Sequence, residues 1–458
     1  MLTGNGLIIG FIIALVILFV LIIRFKWDAF IALLVVAIGI GLVSTIPANE
    51  VPGVIATGFG NTLAGVGILI GLGIIFGQFL AASGAIEKIA SSMLKTFGVK
   101  NSPYALAATS TTVAIPVFFD AAFIILHKLV YSLSLRTKIS LATLVAILSI
   151  GLIVSHSLII PTPGPLVVAD QMGVDIGVFF LYGLLVAIPA TLVGGVIYGK
   201  IIGSRIPNGN RLDDAKEELK ENAKAERDPD RKEIPTWLAY AMLALPIVLI
   251  LSNTVVNNVI LSDNPEALLG KVFAVIGDKN SALLISVIVA TFVLSPYIKE
   301  KTSTVMKEAF DSSGMVLLIT GAGGAFGQVV QQTGLGDLLV DLMTGLQMPA
   351  LILGFIFAQI LRASLGSATV ALVTTSTILG PLAADLGASP VLLGLAIAAG
   401  GIGLSLPNDS GFWVVNKFGR LSVPETIRVW SLGGFAAGVT ALVMVHLLSA
   451  ISGFLPGL

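Results

Sequence analysis

Residues 139–169 read ISLATLVAILSIGLIVSHSLIIPTPGPLVVA, without a single Asp, Glu, Lys or Arg. Roughly 20 apolar residues suffice to cross the hydrocarbon core of a bilayer, so the first part of this stretch specifies a membrane-spanning helix. The second part interrupts it: Pro161, Pro163 and Pro165, with Gly164 among them, cannot sit in a regular helix interior. Charge-free sequence on both sides of the break places it within the membrane.

Six further windows, 51–86, 176–199, 234–262, 312–336, 363–384 and 429–458, also lack charge. The buried core helix of a soluble protein can mimic one such window, but not seven. Only 11% of the 458 residues are charged and the mean hydropathy is +1.00, against roughly 25% charged in an ordinary globular domain. The fold class is therefore an all-α polytopic membrane protein. About twelve segments are expected, near 5–23, 29–45, 60–82, 104–126, 139–157, 176–200, 236–253, 281–297, 312–331, 349–380, 390–406 and 426–448. Leu7–Ile23 lacks a basic leader and a cleavage site, so it reads as a retained first span.

Other function classes are poorly served. A net charge of zero gives no basis for nucleic-acid binding. The absence of Cys excludes disulfides, thiolate catalysis and iron–sulfur ligation. His127, His156 and His446 are too widely spaced for a local metal motif, and the glycines of 321–327 are followed by no GKS/T phosphate loop. An enzyme, a metal and a cofactor are not expected.

The chain is internally duplicated. Gly71–Gly84, GLGIIFGQFLAASG, matches Gly321–Gly334, GAGGAFGQVVQQTG, at six of fourteen positions with an offset of 250. At an offset of 247, PTPGPLVV (161–168) lies over NDSGFWVV (408–415), sharing Gly164/Gly411, Val167/Val414 and Val168/Val415. The organisation read from this is N-terminal helices over 1–50, a first transport repeat over 51–200, a charged cytoplasmic linker over 201–235, linking helices over 236–298 and a second repeat over 299–458. Lys200–Glu233 carries nine basic and nine acidic residues and should form a short solvated helix. Duplicated halves with helices broken at matching places are the pattern of a secondary transporter, with its substrate site where the repeats meet. Inverted repeats with broken helices or re-entrant hairpins are expected.

Four stretches carry the candidate chemistry. In AIPVFFDAAF (114–123), Pro116 breaks the helix and Asp120 sits in an apolar run, where an ionisable group is costly and by default functional. In SHSLIIPTPGP (155–165), His156 and Thr162 supply polar contacts beside Pro161, Pro163 and Pro165. In RASLGSATVALVTTST (362–377), Arg362, Ser364, Gly366, Ser367 and Thr369 form a credible anion or ion site. In PNDSG (407–411), Asn408, Asp409 and Ser410 offer oxygens to a cation or donors to a hydroxylated ligand, with Gly411 as breaker. Asp120, Asp409 and His156 are the proton-coupling candidates, since burial raises a carboxylate's affinity for protons.

Across nearly the whole length these motifs resemble the gluconate permease family of bacterial inner-membrane symporters: GLIIGFIIA (6–14), GLGIIFGQ, GAGGAFGQ, IPVFFDAAFII (115–125), PTPGP, LRASLGSATVA (361–371), PNDSGFWVV and ETIRVW (425–430). The resemblance implies proton-driven uptake of gluconate or a similar hydroxy acid into the cell across the inner membrane, and membership of a larger ion-transporter grouping with inverted repeats. It places binding at the Asp120 segment, Thr162 and its prolines, Ser364–Thr369 and Asn408–Ser410. One departure is that Thr162 stands in Ile160-Pro161-Thr162-Pro163 where many members have Pro-Pro-His-Pro.

The expected mechanism is alternating access, with the substrate carboxylate at hairpin N-termini and Arg362, and its hydroxyls at Ser367, Thr369, Asn408 and Ser410. A D-serine, glycerate or other small-acid carrier, sodium coupling, and a channel are the alternatives. The expected partners are a small organic anion, a proton or Na+, the lipid bilayer and a second copy in a homodimer.

Overall fold

The computed structural model describes residues 4–25, 27–98, 101–225, 232–260, 267–299, 301–334, 349–380, 383, 387–407 and 409–458. Among them every regular element is helical. A bilayer demands this, since backbone polar groups in hydrocarbon must be satisfied within the protein.

Among the described residues, five helices are long and apolar enough to cross a membrane: Leu141–Gln171, Ile176–Gly203, Thr236–Val255, Lys279–Tyr297 and Val423–Ala450. Val51–Ala82, bent by 47° between Val51–Gly65 and Gly67–Ala82, makes a sixth. The remaining apolar helices are shorter, among them Phe30–Val43, Ala350–Ala363, Ala368–Leu379 and Pro390–Gly400. Two of the twelve expected segments are broken helices. The expected span 104–126 is two helices, Ser102–Val113 and Phe119–Thr137, parted at Pro116, while 349–380 is Ala350–Leu365 and Ala368–Leu379, parted at Gly366. Gly366 takes φ 67, a conformation that closes the first arm and costs glycine little.

Pro163 and Pro165 depart from the sequence expectation, as does Gly411. The two prolines begin the helix Pro163–Gln171 rather than interrupt one, because the first-turn N–H groups that proline lacks have no helical partner anyway. Gly411 lies inside the helix Ser410–Phe418, where its N–H is used for capping. The actual interruptions at these two places are 159–162, which contains the cis Ile160–Pro161 bond, and 401–407.

Burial separates an inner from an outer layer. Every residue of Leu141–Leu158 is buried, as are Val391–Gly400 of the helix Pro390–Gly400. Each of these inner helices runs directly into an interruption. The outer helices keep large apolar side chains exposed, including Ile9, Ile12, Ile13 and Val16 near the N-terminus and Leu181, Leu185 and Ile188 further on. Such faces suit lipid, not water.

The helices Val51–Ala82 and Thr302–Gln332 cross at close range. A Cβ at Gly324 would stand 1.9 Å from Thr62 Oγ1, and one at Gly58 would stand 2.4 Å from Gln328 Cβ. Small residues let the two backbones approach where apolar burial alone gives little drive for association. Further along, Gly77 admits the Pro116 carbonyl, which a Cβ would meet at 2.6 Å.

The charged segment forms the expected helix, Arg211–Ala225, but it is docked rather than wholly solvated. Ala215 is buried, and Leu212 and Leu219 pack on the core. Arg211 makes a forked pair with Glu425 at 2.7 and 2.6 Å, and Asn208 Oδ1 accepts from the Leu141 N–H at 2.9 Å. The segment thereby clamps the start of one inner helix to the start of the last span.

Candidate functional site

The interruption at 401–407 is braced by hydrogen bonds from two sides. Asp409 caps the helix Ser410–Phe418, its Oδ1 accepting from the Gly411 N–H at 2.9 Å. Its Oδ2 accepts from Arg362 Nη2 at 2.6 Å and from the Ser405 hydroxyl. Ser405 in turn accepts from Trp430 Nε1 at 2.7 Å, and its carbonyl receives the Ser431 hydroxyl. The Arg362 and Asp409 side chains are only 3% and 7% exposed. Removing two charges from water is expensive, and the pair persists because each partner neutralises the other.

That neutralisation leaves donors over. Arg362 Nε and Nη1 are buried and have no hydrogen-bond partner among the described residues, and both amide atoms of Gln359, one helical turn earlier, are in the same state. The backbone N–H groups of Gly403, Leu404, Ser405 and Leu406 likewise donate to no other backbone group among the described residues. An anion is the natural complement to such a surplus of donors.

The first half of the chain supplies the facing wall. Asp120, in the first turn of Phe119–Thr137, accepts from the Ser410 hydroxyl at 3.0 Å and lies within electrostatic range of Asp409 and Arg362. Phe119 stacks on Trp430 at 4.8 Å between ring centroids. His156 is buried near the end of Leu141–Leu158, with Nε2 3.4 Å from Thr369 Oγ1, its ring 5.6 Å from that of Phe118, and Nδ1 without a partner among the described residues. Arg362 also acts on it electrostatically.

Asp120, His156, Arg362, Thr369, Asp409 and Ser410 are thus brought together from four separate stretches. Thr162 and Ser367 are occupied locally. Thr162 Oγ1 donates to the carbonyls of His156 and Ile159, at 3.0 and 2.6 Å, closing the end of the inner helix. Ser367 Oγ accepts from the Val370 N–H and caps Ala368–Leu379. The side chain of Ser364 and the whole of Asn408 lie outside the described residues.

Gln359, Ser405 and Trp430 are additions to the sequence-derived set. Gln359 had a visible signal as the lone amide in the run LILGFIFAQIL (351–361); Ser405 and Trp430 had none, since their roles exist only through folding. The described residues contain no group of three or more His, Asp or Glu that could hold a metal.

Helices Phe119–Thr137, Pro163–Gln171, Ala368–Leu379 and Ser410–Phe418 all begin at interruptions inside the bundle. Their positive ends, with one neutralised ion pair among them, suit a negatively charged solute held away from lipid. A multi-pass secondary transporter is the class that this fold and site define.

The GntP family permease model matches residues 6–451. An uncharacterized permease of Haemophilus influenzae is 37% identical over 95% of this chain and 92% of its own length. The gluconate permease of Pseudomonas aeruginosa is 32% identical over 97% and 98%, and the high-affinity gluconate transporter of Escherichia coli 31% over 96% and 98%. The Alcanivorax borkumensis YdaH transporter, solved by crystallography, shares the fold with a TM-score of 0.63 at 14% identity, covering 93% of this chain and 97% of that one. The chain belongs to the GntP family of permeases and is a transporter, not an enzyme.

Proposed function

We propose that this permease imports gluconate or a closely similar small hydroxy carboxylate together with a proton, by alternating access across the bacterial inner membrane. The observation that carries this reading is the buried Arg362–Asp409 pair, whose guanidinium keeps Nε and Nη1 without a hydrogen-bond partner among the described residues, beside an unwound backbone segment. A substrate carboxylate takes those donors and competes with Asp409 for Arg362. Asp409, which shares that guanidinium, or its neighbour Asp120, which the Ser410 hydroxyl ties to the same spot, carries the coupling proton. Relatives named for gluconate support the choice of substrate.

The same reading takes 51–200 and 299–458 as two inverted repeats, joined by the charged linker 201–235 and the helices of 236–298. Its support is a matched order of elements: a long helix (Val51–Ala82, Thr302–Gln332), two helices broken midway, then a terminal span (Ile176–Gly203, Val423–Ala450).

The test is uptake of radiolabelled gluconate into proteoliposomes, with and without an inward proton gradient, against a parallel sodium gradient. Accumulation driven by protons alone supports the proposal. Accumulation driven only by sodium replaces the coupling ion, and the absence of uptake from folded protein removes gluconate as substrate.

A further inference from the structure

We infer that Gln359 reads the substrate's hydroxyl groups and so sets specificity at this site. Gln359 is 6% exposed, and neither its Oε1 nor its Nε2 has a partner among the described residues. A buried amide with both ends unsatisfied is costly, and native structures retain such groups where a ligand completes them. The amide faces the unwound segment: a Cβ on Gly403 would meet Gln359 Oε1 at 2.8 Å and Nε2 at 3.1 Å. Only the missing side chain at Gly403 leaves the amide its place.

Position selects the ligand chemistry. Gln359 precedes Arg362 by three residues on the helix Ala350–Leu365, so the two share one helix face. A molecule anchored by its carboxylate on Arg362 therefore extends its remaining carbons along Gln359. An amide offers one acceptor and two donors, and a hydroxyl both donates and accepts. A polyhydroxylated chain can answer both ends of the amide; an alkyl chain can answer neither. This inference rests on the hydroxy-carboxylate reading of the site.

The experiment compares wild-type protein with Gln359→Met, which keeps length and volume but removes the amide, measuring gluconate uptake and its inhibition by propionate. The wild type must take up gluconate, and its failure to do so would count against the functional reading itself. The variant should raise KM for gluconate about tenfold with Vmax within about twofold, while the inhibition constant of propionate stays unchanged. A parallel loss for both acids, or no change in either, overturns the role of Gln359. Wild-type protein offers an independent check that needs no variant: among gluconates each lacking one hydroxyl, at least one should inhibit about tenfold more weakly than gluconate. A flat series overturns the inference equally.

Discussion

Ser410 and Asp120 lie 290 positions apart in sequence, yet the serine hydroxyl donates to the aspartate carboxylate at 3.0 Å. This bond joins the start of Ser410–Phe418 to the start of Phe119–Thr137, at the point where Asp409 turns the other way to meet Arg362. Asp120→Asn keeps the hydrogen-bond acceptor and removes the titration. Proton-gradient-driven accumulation should disappear in this variant, while exchange of labelled for unlabelled substrate across the membrane survives. Accumulation equal to wild type would remove Asp120 from the coupling path.

Arg362→Ala leaves Asp409 as a buried, unpaired carboxylate, at a cost of roughly 3–5 kcal/mol. Much of that should return in the double variant Arg362→Ala/Asp409→Ala, because the stranded charge is gone. Thermal unfolding in detergent separates the two cases. Neither variant should transport, whereas Arg362→Lys should fold and show a KM raised about tenfold, since an ammonium lacks the guanidinium's fork.

The crossing of the two long helices predicts a steric rescue. Gly324→Ala places a methyl against Thr62 Oγ1 and should cost about 1–3 kcal/mol. Thr62→Ala in the same chain removes the obstructing oxygen and should recover part of the loss, the remainder reflecting the Thr62 Cβ that alanine keeps, at 2.5 Å, and the Gly58 carbonyl at 2.9 Å. Equal melting temperatures for the single and double variants would contradict the contact.

Trp430→Phe keeps an aromatic ring on Phe119 but removes the indole N–H that holds Ser405. The expected loss is about 1 kcal/mol. It should be accompanied by weaker gluconate binding in calorimetry, because Ser405 also donates to Asp409. Unchanged stability and affinity would show that the indole bond is incidental.

Much of this architecture was legible from residue types. Pro116 and Gly366 mark true interruptions because their backbone limits act locally, and Asp120 and Arg362 stood out as charges in apolar surroundings. Pro163 and Pro165 misled, since the same missing N–H that breaks a helix interior is harmless in a first turn. The partnership of Arg362 with Asp409, 47 residues on, and the bond of Trp430 to Ser405 could not be read, because no local rule fixes which helix packs beside which. The docking of Arg211–Ala225 was hidden in the same way: its charges spelled a solvated helix, while the forked grip of Arg211 on Glu425 arises only in three dimensions.

The complete burial of Leu141–Leu158 and of Val391–Gly400 bears on life in a changing membrane. Bacteria alter acyl-chain length and saturation with growth conditions, and a thicker or thinner bilayer strains whatever helices touch it. Here that strain falls on an outer sleeve, exposed at Ile9, Leu181 and Leu185, and reaches the inner helices only through other protein. The carrier's substrate affinity should therefore stay steady across lipid compositions that shift its turnover, as chemistry suspended inside a flexible mounting.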